Sequence, residues 1–111
     1  FRKQKKETTI LVEIARKHRV LISVITEFEW LVGFKDRELE FGKSLLHNID
    51  VLPFDSKCAL KARDIYGGLK SQNKLIEIPD IFIAATSLAY KLPLATINKN
   101  HFKRIAGIEL V

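Results

Sequence analysis

The sequence predicts an α/β domain in which helices sandwich a parallel sheet, and three observations carry that expectation. Apolar runs without polar alternation, such as Val20–Ile25, read as strands covered on both faces. Segments with apolar residues at helical spacing lie between them. The two kinds alternate along the chain, the order that builds parallel sheets. A chain of 111 residues suits a single domain, 1–111, with one core.

The elements follow in order. In "TTILVEIARK", Thr8 to Lys17, Ile10, Leu11 and Ile14 form one stripe and predict a short amphipathic helix. "VLISVI", Val20–Ile25, is the first strand. Thr26 and Glu29 form a Thr-x-x-Glu capping box that opens a helix running to about Gly33. Asp36 to His47 reads as a further helix, weakened locally by Gly42. "IDVLPF" is a short strand stopped at Pro53. Asp55 caps a helix over Ser56–Leu69 that turns Ala59, Ala62, Ile65, Tyr66 and Leu69 inward, with Gly67 and Gly68 fraying or bending its end. The alanine-rich run Asp80–Tyr90 is apolar nearly all round and predicts a buried helix. "LPLATI" is the next strand, Lys99–Ile105 about one helical turn, and "IELV" the last strand.

The net charge is +6, with basic residues bunched at Arg2–Lys6, Arg16–Arg19 and Lys99–Arg104. That excess favours polyanions such as RNA or DNA through counterion release, although lysine-rich surfaces also serve solubility. The single cysteine, Cys58, suits a reducing compartment. The apolar runs are too short to span a bilayer, and "FRKQKK" does not read as a signal peptide, so a cytoplasmic location without membrane attachment is expected. The sequence contains no methionine, which predicts that it begins downstream of its gene's true start.

There is no glycine-rich phosphate loop, zinc-spaced Cys/His cluster or Gly-x-Ser-x-Gly elbow. His18, His47 and His101 are scattered singly. Three polar positions stand at the ends of predicted elements: Glu29, Asp80 and Asn98. Each has an ordinary explanation. Glu29 completes a capping box, Asp80 complements a helix N-terminus, and Asn98 forms a turn. At one edge of a parallel sheet, two carboxylates and a carboxamide would suit Mg²⁺ or Mn²⁺. Like charges brought that close call for a cation, which can activate water against a phosphodiester.

"ISVITEFEWLVGF", Ile22–Phe34, resembles the strand-then-helix segment of PIN-domain ribonucleases, particularly VapC-type toxins of toxin–antitoxin modules: Thr26, Glu29 and Gly33 fill the motif. "IPDIFIAATSLAYKLPLATINKNHF" resembles the family's second half, with Asp80, Ala84, Ala85, Thr96, Asn98 and Phe102 matching in order and spacing. The resemblance covers most of residues 8–111. It implies a PIN-like three-layer α/β/α fold and a metal-dependent endoribonuclease that leaves a 3′-hydroxyl and a 5′-phosphate. It also implies two protein partners, a small antitoxin and a second copy of the chain. By position, Glu29 and Asp80 would bind Mg²⁺ or Mn²⁺, Asn98 would stand at the fourth acidic site, and Thr96 would orient it. His101 falls where related sequences often carry an acid; a surface role is expected, with a supporting role as the alternative. Trp30, Leu31 and Phe34 would serve the core or an interface.

One departure stands out. Family members begin with a strand ending in a metal-binding Asp, whereas this sequence opens with "FRKQKKET". A sheet lacking that central strand would expose two apolar edges and cleave RNA weakly or not at all. Two rival functions follow: a catalytically inactive PIN-like module that binds RNA or an antitoxin, and a metal-dependent phosphodiesterase acting on DNA.

Overall fold

A serine ends the first strand and starts the first helix. In the computed structural model, which describes residues 21–47, 49–96 and 99–111, β1 (Leu21–Ser23) runs directly into α1 (Val24–Val32). Ser23 keeps extended backbone angles, and its Oγ accepts a 3.0 Å hydrogen bond from the Thr26 N–H. The expected strand Val20–Ile25 is therefore cut short, and its Val20 lies outside the described residues, as does the helix expected over Thr8–Lys17. Val24 and Ile25 enter a helix despite their β preference, because the serine cap satisfies a first-turn N–H three residues earlier than expected. Thr26 is then a first-turn residue, and the expected Thr26–Glu29 capping box is replaced by the Ser23 cap.

The chain divides into two compact units, Phe1–Leu52 and Pro53–Val111, each with its own apolar cluster. In the first, β1 pairs in parallel with β2 (Asp50–Leu52), in the register Leu21↔Asp50, Ile22↔Val51 and Ser23↔Leu52. The helix expected over Asp36–His47 divides into a 3₁₀ turn, Asp36–Glu38, and α2 (Leu39–Leu45). Ile22, Trp30 and Leu46 form the buried centre, with Leu31, Phe34, Leu45, Ile49 and Val51 packed against it. The Trp30 Nε1–H donates to the Gly42 carbonyl at 2.9 Å, and its ring lies 5.6 Å from that of Phe34. Gly42 is required by close approach: a Cβ there would sit 2.7 Å from Phe34 Cδ2.

In the second unit, Asp55 caps α3 (Ser56–Ser71) as expected, its Oδ1 accepting from the Cys58 N–H at 3.2 Å. The buried face is Cys58, Ala62, Ile65 and Leu69. Ala59 and Tyr66, expected inside, face solvent, because Cys58 rather than Ala59 begins the inward stripe. Gly67 and Gly68 lie within the helix on its exposed side and neither fray nor end it. α4 (Ile78–Ala89) starts two residues before Asp80, with Pro79 in its first turn, where a missing N–H costs nothing.

Both long helices end in the same way without glycine. Asn73 and Lys91 take left-handed angles (φ 56 and 55), so that the Lys74 N–H reaches Leu69 O and the Leu92 N–H reaches Ser87 O. The Tyr90 hydroxyl donates to Asp55 Oδ2 at 2.8 Å, tying the end of α4 to the start of α3. The Lys57 ammonium stands 4.0 Å from the centre of the Tyr90 ring.

Among the described residues, the expected strands "LPLATI" and "IELV" show one parallel bridge, Leu94↔Leu110, and Ile97 lies outside the described residues. The four-residue α5 (Lys99–Phe102) follows, and Phe102 and Ile105 sink into the cluster formed by Ala62, Ile65, Leu69, Ile81, Ala84 and Ala85. Among the described residues, no helix is long and apolar enough to cross a membrane.

Candidate functional site

Asp80 is the third residue of α4, following N-cap Glu77, Ile78 and Pro79. It therefore lies inside the first turn rather than at the cap, where the helix dipole favours a carboxylate by about 0.3–1 kcal/mol. Its neighbour Ile81 is almost completely buried, which draws the Asp80 side chain down to 19% exposure. Among the described residues, His101 faces it: Nδ1 lies 3.6 Å from Asp80 Oδ2, in ion-pair range but longer than a direct hydrogen bond. His101 itself is 47% exposed and immediately precedes the buried Phe102.

Glu29 lies in the first unit, in the middle of α1 and on its solvent side. With the helix capped by Ser23, the capping-box explanation for Glu29 no longer applies. Thr96 is half-buried in the second unit, between the Leu94 bridge and α5. Asn98 lies outside the described residues. Of the sequence-derived candidates, the structure thus brings Asp80 together with His101. The signal available for His101 in the sequence was its place directly before an apolar anchor, and a single exposed histidine carries little weight without the neighbour across from it.

Among the described residues, no group of three or more His, Cys, Asp or Glu is gathered to hold a metal ion. The carboxylate chemistry of Asp80 nevertheless fits the hard divalent cation that the resemblance implies. Magnesium prefers oxygen donors, retains several waters and takes only one or two protein carboxylates. The partly open Asp80 carboxylate, with one oxygen faced by His101, is such a donor.

A PIN domain model matches residues 1–108, and the chain belongs to the PIN-domain family. Within that family its likeness is to VapC-type proteins. Ribonuclease VapC1 of Methanocaldococcus jannaschii is 28% identical over 106 residues, spanning 89% of this chain and 78% of the relative. Among solved structures, VapBC2 from Rickettsia felis, bound to a DNA fragment from their promoter, matches with a TM-score of 0.75 at 26% identity, over 93% of this chain and 81% of that one. VapBC-1 from nontypeable Haemophilus influenzae reaches a TM-score of 0.80 at 23% identity, over 93% of this chain and 84% of that one, and shares the fold.

Proposed function

We propose that this protein is a metal-dependent endoribonuclease toxin of the VapC type, acting in the cytoplasm and held inactive by an antitoxin. Glu29 and Asp80 are its metal-binding carboxylates. Asn98 stands at the fourth acidic position of the family pattern, and Thr96 orients it. The observation that carries this reading is the family match over residues 1–108, which takes in both carboxylates. The names of the relatives support it: a ribonuclease, and VapBC assemblies.

The residues divide the work by their chemistry. A bound Mg²⁺ or Mn²⁺ would supply an activated water and neutralise charge on the scissile phosphate. Asp80, at the positive end of α4 and largely withdrawn from water, offers its oxygens in a fixed direction. Glu29, at the surface of α1, offers a second carboxylate. Basic side chains draw the RNA backbone in. A second copy of the chain completes the assembly.

The test is Asp80→Asn in the full-length protein, assayed for Mg²⁺-dependent cleavage of single-stranded RNA and of DNA. Loss of RNA cleavage with an unchanged melting temperature is expected. Undiminished cleavage would remove Asp80 from the site, and cleavage confined to DNA would replace the proposed substrate.

A further inference from the structure

We propose that His101 is a positioning residue for Asp80: its imidazole Nδ1 faces Asp80 Oδ2 and fixes the carboxylate so that the other oxygen is left for the cation. This rests on the metal-binding role proposed above for Asp80 and assigns the group that holds it. Three observations carry it.

The first is the contact itself, 3.6 Å between Nδ1 and Oδ2 within a single unit of the chain. The second is how the two residues are held. Asp80 directly precedes Ile81 and His101 directly precedes Phe102, and both anchors, 1% and 2% exposed, belong to one apolar cluster. The pairing is therefore set by packing rather than by two surface side chains meeting by chance. The third is the environment of the carboxylate. The Asp80 side chain is 19% exposed, and among the described residues the His101 imidazole is the group across from its Oδ2.

Asp80 sits on a helix, but its rotamer is free to turn unless something faces one of its oxygens. An imidazole nitrogen facing Oδ2 restricts that freedom at a small cost, because Phe102 and Ile105 already tie down the segment that carries His101. Partners of this kind, acting behind a ligand rather than on the ion, typically change metal affinity about 10–100-fold when lost. His101→Asn keeps an N–H donor near the Nδ1 position, and His101→Ala removes it.

The experiment is Mn²⁺ titration of the full-length protein, followed by electron paramagnetic resonance of free Mn²⁺, for the wild type, His101→Ala, His101→Asn and Asp80→Asn. Thermal melts accompany each variant. His101→Ala is expected to weaken Mn²⁺ binding about 10–100-fold, with His101→Asn close to wild type and no imidazole nitrogen bound directly to Mn²⁺ in pulsed spectra. Wild-type affinity in His101→Ala, alongside weakened binding in Asp80→Asn, would overturn the positioning role and leave the metal role of Asp80 standing. So would equal losses in the alanine and asparagine variants, or a directly bound imidazole nitrogen. Unchanged binding in Asp80→Asn would overturn both readings.

Discussion

Gly42→Ala is the substitution whose sign depends most directly on the packing described for the first unit. By helix propensity alone, alanine in α2 should gain about 1 kcal/mol over glycine. The new methyl, however, would lie 2.7–2.9 Å from three atoms of the Phe34 ring, including Cγ at its root. That ring cannot swing aside easily. It leans on Trp30 at 5.6 Å, and Trp30 is itself held by its hydrogen bond to the Gly42 carbonyl. Overpacking of this kind costs about 1–3 kcal/mol, so a net loss of about 1 kcal/mol and a melting temperature several degrees lower are expected. Gly67→Ala supplies the contrast. No atom lies within 4 Å of a Cβ there, so the same chemistry in α3 should stabilise by about 0.5–1 kcal/mol. Urea titrations of both variants, and of Gly42→Ala combined with Phe34→Leu, make the comparison. A Gly42→Ala protein more stable than wild type would refute the argument, and so would a double variant that recovers nothing.

Two further outcomes concern charge. Hydrogen bonding to Asp55, together with burial, pushes the Tyr90 hydroxyl up to about 12, while the same bond lowers the Asp55 carboxyl. For the tyrosine, the stabilising contribution is complete below its ordinary value of 10 and is lost as pH rises towards 12. For the aspartate, it is present above the usual carboxylate range and lost as pH falls through the lowered value. Tyr90→Phe should therefore flatten the alkaline decline in melting temperature between about pH 10 and 12; a decline identical to wild type would place its cause elsewhere. RNA affinity should fall steeply between about 50 and 200 mM salt if basic side chains draw in the phosphate backbone. A flat salt response, measured by fluorescence anisotropy, would make the +6 charge incidental to binding.

Much of this was legible in the sequence, and the exceptions have specific causes. The capping role of Asp55 and the stop at Pro53 follow from local chemistry, and both occur. The Ser23 cap was hidden inside a run of β-branched residues, whose strand preference masks a hydroxyl one turn ahead of Thr26. Ala62, Ile65 and Leu69 of the expected inward face of α3 are buried, whereas Ala59 and Tyr66 are not, because alanine and tyrosine suit either side of a helix, and the completely buried Cys58 was missed. For the site, residue type and spacing singled out Asp80 but not its neighbour. The approach of His101 depends on α5 docking through Phe102 and Ile105, a tertiary event with no local signature.

Cys58 turns that burial into a probe. Its side chain has no exposure, its Sγ donates to the Pro53 carbonyl at 3.6 Å, and burial raises the thiol above its ordinary range, so the native protein presents no thiolate to a disulfide reagent. With no second cysteine in the sequence, any labelling must pass through an opening that uncovers Cys58 at the start of α3. The rate at which the thiol is captured therefore times the breathing of the second unit, in the unaltered protein and without an added reporter.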